Sequence, residues 1–146
     1  MILYLDAVSG ISGDMCLGAL ADLGVSVRDL ERALAPLGIQ KEFRLRRRAV
    51  IKGAIRAVKM DVILKRRGHQ SGHRTWKEID ALLRRAKLSP SVRDGSRSVF
   101  RRLAEAEGKV HGVAPEKIHF HEVGAVDAIV DIVGTVSALD ILGVRR

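Results

Sequence analysis

The sequence predicts an α+β fold, a small and mostly antiparallel sheet covered by several helices. Three observations carry this. Apolar residues recur at helical spacing behind capping residues on both sides of residues 42–64, whereas that stretch switches to strand-like alternation around a Lys52-Gly53 turn. Glycine, proline and serine mark element boundaries without gathering into a linker. The 146 residues are therefore expected to form a single domain, long enough to bury about two-thirds of the unfolded surface.

Element by element, Ile2 to Leu5 is a short apolar run ending at Asp6 and reads as a strand. The loop S-G-I-S-G-D, Ser9 to Asp14, leads into a helix with an apolar face at Cys16, Ala19, Leu20 and Leu23, closed by Gly24. Ser26, with Asp29 three residues later, opens a second helix whose face is Leu30, Ala33, Leu34 and Leu37, and Gly38 supplies its C-cap. Phe43, Leu45 and Ala49-Val50-Ile51 precede the turn. Ile55, Ala57, Lys59, Asp61 and Ile63 then alternate with Arg56, Val58, Met60 and Val62, so two strands fit; Arg44, Arg46 and Arg48 share one face of the first. A polar loop, R-R-G-H-Q-S-G-H-R, follows. Thr75 and Glu78 form a capping-box pattern in front of a stripe of Trp76, Ile79, Leu83 and Ala86. Ser89-Pro90 starts a longer helix with a stripe at Val92, Ser96, Val99, Leu103, Ala106 and Val110; Gly95 inside it costs about 1 kcal/mol against alanine. A last apolar helix runs to Gly143, and Val144-Arg145-Arg146 is abrupt for a domain end.

Lys and Arg outnumber Asp and Glu by 26 to 17, a formal charge of +9, which selects anionic partners: nucleic acid, nucleotides, phosphorylated cofactors or an acidic protein. Nucleic acid ranks below a small-molecule site, because the arginines are dispersed, aromatics are confined to Tyr4, Phe43, Trp76, Phe100 and Phe120, and no recognised reading module occurs. One cysteine excludes an internal disulfide and suits a reducing compartment. MILYLDAVSG has no cationic leader, and no apolar stretch approaches the roughly twenty residues needed to cross a bilayer. The expectation is a cytoplasmic protein with no membrane partner; homo-oligomerisation stays open.

The densest chemistry lies in I-H-F-H-E-V-G-A-V-D-A-I-V-D-I-V-G, Ile118 to Gly134. His119 and His121 face one way on an extended backbone, Glu122 follows, and Asp127 and Asp131 share one side of a helix begun after Gly124. Such groups are costly to bury unpartnered. Imidazole with carboxylate suits zinc, nickel, iron or manganese, and serves equally as general acid and base; half-exposed histidines beside a solvated helix face is the alternative. In the Ser9–Asp14 loop, Ser9, Gly10, Ser12 and Gly13 sit before a helix start, where free amides favour an anion. Asp6 and Asp14 flank the loop and would repel a phosphate unless a cation lay between, so a metal-bridged polar site competes with a plain tight turn. His69 and His73, four apart in the central loop, are a thin metal-capturing tract or a solvated loop. Cys16 suits a small core position, and His111 a helix C-terminus.

With these residues assembled, the chain resembles the N-terminal part of the LarC family of nickel-insertion proteins. The resemblance rests on L-D-A-V-S-G-I-S-G-D-M from Leu5, F-R-R-L-A-E-A-E-G-K-V-H-G-V from Phe100 and H-F-H-E-V-G-A-V-D-A-I-V-D-I-V-G from His119. It implies a cytoplasmic nickel chelatase that metallates pyridinium-3,5-bisthiocarboxylic acid mononucleotide, placing nickel between two sulfurs and a ring carbon at the expense of CTP. On that basis Asp6, Asp14 and Glu122 are the catalytic candidates. Ser9, Gly10, Ser12 and Gly13 are candidates for holding the phosphorylated precursor, and His119, His121, Asp127, Asp131, His69 and His73 for nickel. Family members are much longer, and the C-terminal region associated with CTP and its divalent cation is absent from these residues. The implied role is therefore an N-terminal module, inactive alone, that works with a C-terminal region or chain. A non-catalytic metal-delivery or assembly module is the alternative, and a basic nucleic-acid-binding domain the second. The central loop is also poorer in histidine than is common in the family.

Overall fold

The last helix organises the molecule because its sequence is apolar on almost every side. In the computed structural model, which describes residues 1–65, 74–120 and 124–144, this helix spans Val126–Ile141. It buries Val126, Ile129, Val130, Val133, Gly134, Ser137 and Ala138, as a helix apolar all round must. It is the fifth helix, α5. Around it pack α1 (Gly13–Asp22), α2 (Val27–Leu34) and α4 (Pro90–His111), while α3 (Trp76–Arg85) lies on α4. The sheet is one antiparallel hairpin, β1 (Phe43–Lys52) and β2 (Ile55–Leu64), with Phe43 opposite Leu64 and Lys52 opposite Ile55. The α+β architecture read from the sequence is the one observed.

The hairpin is half core and half projection. Phe43, Leu45 and Met60 are buried near its base, and α1 packs across β2. Its far end is exposed, with Gly53 at φ +62° making the two-residue turn. Gly18 is what lets α1 lie so close: a Cβ there would be driven into the Val58 carbonyl of β2.

The starts of α2 and α3 are both capping boxes, the one at Thr75 as expected. Ser26 and Asp29 exchange bonds at the start of α2, and Thr75 and Glu78 do so at the start of α3. Gly38, at φ +73°, ends not α2 itself but the 3-10 turn Ala35–Leu37 that follows it.

Three local expectations are corrected. Ile2–Leu5 forms no strand; among the described residues nothing pairs with it. On α1 the buried residues are Leu17, Gly18, Leu20 and Ala21, while Leu23 is exposed, because this helix is covered by α5 on one side and β2 on another. On α4 the stripe runs Val92, Ser96, Phe100, Ala104 and Gly108, leaving Ala106 and Val110 exposed. Two packing demands fix that rotation: Phe100 meets Phe120 with ring centroids 6.3 Å apart, and a Cβ on Gly108 would lie 2.8 Å from the Val113 carbonyl.

Candidate functional site

The packing of α1 against both α5 and β2 brings four carboxylates to one place. Asp14 comes from the first turn of α1, Asp127 and Asp131 from the first two turns of α5, and Asp61 from β2; with Met60 and Val62 they line a cavity of about 250 Å³. Gly13 makes the approach possible. A Cβ built on it would stand 2.5 Å from Asp131 Cβ and 2.6 Å from Asp131 Oδ2, so any larger residue would push the carboxylate away.

The four acids are not equivalent. Asp61 is the neutralised one: its Oδ2 accepts from Arg48 Nε at 2.7 Å and from Arg46 at 3.1 Å and 3.2 Å, and Lys59 lies 3.6 Å from Oδ1. The Arg48 hydrogen bond, opposed by desolvation and reinforced by Arg46, brings its pKa down to about 2. Asp14 is committed to its own helix, accepting from the Met15 amide at 2.9 Å and from the Ser12 hydroxyl. Asp127 accepts from the Ala128 amide at 2.9 Å. Asp131 alone has a buried oxygen, Oδ1, with no hydrogen-bond partner among the described residues. Burial first, then the charges of Asp14 and Asp127, push its pKa up to about 7. Burial and the neighbouring carboxylates thus favour protonated Asp131, whereas a positive charge among these oxygens would favour the ionised form.

Cys16, half-buried on α1, borders the same group. Burial, then Asp131 and Asp14, raise its thiol, so it stays protonated rather than offering a thiolate.

Asp14, Asp127 and Asp131 are brought together from the residues expected at the site. Asp6 is exposed, just ahead of a turn closed by the Gly10 amide on the Ala7 carbonyl at 2.9 Å, in which Ser9 is also exposed and Gly10 has φ +82°. Ser12 is the N-cap of α1, yet its hydroxyl goes to Asp14 and not to the helix amides. The start of α1 therefore faces carboxylates, and an anion bound there needs an intervening cation. His119 is exposed. Its backbone bridges Thr75, and its charge contributes the smallest of the effects holding Glu78 low, behind the Thr75 amide and hydroxyl. His69, His73, His121 and Glu122 fall outside the described residues, and among the described residues no three histidine, cysteine or acidic side chains are disposed to hold a metal ion. Asp61 and Cys16 escaped sequence reasoning. Asp61 carried one signal, a lone acid in a strand opposite a run of arginines.

No solved structure matches the chain. A family model described as "Nickel insertion protein" matches residues 3–146. The chain is 49% identical over 151 residues to a protein of Synechocystis sp. named "Putative nickel insertion protein", covering 100% of this chain and 36% of that one. Proteins of the same name from Nostoc sp., 51% identical over 98% of the chain and 35% of the relative, and from Wolinella succinogenes, 44% identical over 99% and 36%, match likewise. The chain spans little more than a third of the length of the curated relatives it matches. With a family model covering nearly every residue and relatives near half identity along the whole chain, the protein belongs to the nickel insertion protein family.

Proposed function

We propose that the chain is the N-terminal module of a nickel-insertion protein that loads nickel into pyridinium-3,5-bisthiocarboxylic acid mononucleotide. The metal and the phosphorylated precursor are both substrates. The observation that carries this reading is the carboxylate cavity, in which Asp131 keeps an unpartnered buried oxygen beside Asp14 and Asp127. Carboxylates of this kind, though not disposed to chelate an ion directly, attract a hydrated divalent ion through its water shell and leave it exchangeable. His119, with His121 and Glu122, supplies nitrogen and further oxygen for transfer toward the softer sulfur ligands of the precursor, with His69 and His73 as capture residues. The loop from Ser9 to Gly13 takes the precursor phosphate through the bound cation, with Asp6 ahead of it in the chain as a further acid. CTP and its own divalent ion belong to the C-terminal region, supplied by the rest of a longer protein or by a second chain, in the cytoplasm.

A nucleic-acid role is disfavoured by a specific observation. Arg46 and Arg48 are engaged by Asp61, Arg84 and Arg97 by Asp80, Arg93 by Asp94, Arg101 by Glu105 and Arg74 by Glu42. Arginines so occupied are poorly placed to line a phosphate backbone.

The test is metallation of the precursor by this chain mixed with the C-terminal region of a relative, nickel and CTP, followed by mass spectrometry. Insertion is expected with both parts and with neither alone. The Asp127→Asn, Asp131→Asn pair should lower the rate by about 10- to 100-fold, the usual effect of disturbing a metal's surroundings. Insertion by the isolated chain would overturn the division of labour, and an unaffected double variant would remove the cavity from the mechanism.

A further inference from the structure

The most anomalous surface of the molecule is its first eight residues. Met1-Ile2-Leu3-Tyr4-Leu5 is a continuous apolar run, the pattern of a strand buried on both faces rather than one. Most of it is uncovered here, Met1 being 66% exposed and Leu5 49%. Leu3 packs against the core, whereas Ile2 is 82% exposed, Tyr4 83% and Val8 90%. No strand among the described residues pairs with this backbone. An extended-pattern backbone paired to no strand, together with bare apolar side chains, marks a place where another segment belongs.

The ends of the described chain show which segment. The Met1 ammonium donates to the Gly143 carbonyl at 3.1 Å, and the Val144 amide closes the end of α5 on the Leu139 carbonyl at 3.0 Å. A chain continuing past residue 146 starts two residues further on, which carries it no more than about 7 Å from this point. It therefore emerges beside Met1. The curated relatives have nearly two-thirds of their length outside the matched part, so there is ample chain to cover the segment. A tethered strand that begins beside its partner has an effective concentration in the millimolar range, which a second copy of the module would not match.

We infer that Ile2–Val8 is the docking edge for the region that follows residue 146 in full-length relatives, which adds a strand to this backbone and buries Ile2 and Tyr4. This rests on the reading that a C-terminal region completes the protein, and it assigns where that region sits.

The test adds the C-terminal region of the Nostoc relative in trans to this chain and to variants, with affinity measured by calorimetry and backbone protection by hydrogen exchange. Amides of residues 2–7 should exchange more slowly in the complex. Ile2→Asp with Tyr4→Asp should weaken association by about tenfold or more, as truncating interface anchors does. Ile51→Asp, at the equally exposed hairpin tip, should leave it unchanged. Absence of a complex, unprotected amides, a double variant that binds like the parent, or self-association of the chain alone that the double variant abolishes would each overturn the inference. Nickel insertion is measured separately on the same mixtures. A complex that forms through this edge without metallating the precursor removes the functional reading and leaves the docking edge; metallation indifferent to Ile2 and Tyr4 does the reverse.

Discussion

Asp131 is where sequence spacing and tertiary structure combine into chemistry. Its partner Asp127 was legible from the four-residue interval on a helix, and Asp14 from its place at a helix start. That the three meet depends on Gly13, whose missing Cβ lets α5 bring a carboxylate against α1. Asp61 and Cys16 were not legible as neighbours, because strand alternation and helix periodicity say which face a residue occupies, not what lies opposite. The raised pKa has a signed consequence for the metal-free protein. Burial and its acidic neighbours push Asp131 up to about 7 in the folded state from an ordinary carboxylate value of 3.8, so between those values the folded state binds more protons than the unfolded. Stability is then fully expressed below the ordinary value of 3.8, falls from there as pH rises through 7, and levels off above it. Asp131→Asn should remove that loss: its melting temperature should match the parent well below pH 3.8, at about pH 3, and exceed it at about pH 8. Parallel curves across the range would show that Asp131 ionises without penalty.

At the scale of elements, the helix starts were legible and the helix faces less so. Ser26 with Asp29 and Thr75 with Glu78 announce their caps because the interaction is local, within one turn. Which side of α1 and α4 is buried depends instead on what packs there, and α1 has two coverings, α5 and β2. Leu23 looked like core and lies outside, while Gly18, inside the same helix, sits against the Val58 backbone. This yields a prediction opposite in sign to helix propensity. Gly18→Ala would gain up to about 1 kcal/mol in an isolated helix, but the added methyl must displace a strand carbonyl, and overpacking of this kind costs about 1–3 kcal/mol or more. The variant should unfold at lower urea concentration than the parent. A midpoint at or above the parent's would mean that α1 and the hairpin separate without cost, and would weaken the geometry of the carboxylate cavity they enclose.

The whole molecule carries +9, yet its candidate site is acidic, and that contrast decides what its charge can do. Composition alone suggested anionic partners without separating a nucleotide-like substrate from nucleic acid. The separation lay in pairing, which a sequence does not display: Arg97 and Arg84 both reach Asp80, at 2.6 Å and 2.7 Å, and Arg48 reaches Asp61 at 2.7 Å. What remains is a diffuse positive field around a small negative cavity. Such a field raises the local concentration of a mobile anion without presenting, among the described residues, a track of free guanidinium groups. The phosphorylated precursor should therefore bind in the presence of a divalent cation and weaken as the Debye length shrinks from about 10 Å at 0.1 M salt to about 3 Å at 1 M. Duplex DNA should not displace it at equal phosphate concentration. Calorimetric titration with the precursor, repeated at the two ionic strengths and with DNA as competitor, checks both statements. Displacement by DNA, or precursor binding indifferent to salt, would mean that the basic excess serves a polyanion or that precursor recognition is apolar, and the cation-bridged loop from Ser9 to Gly13 would lose its role.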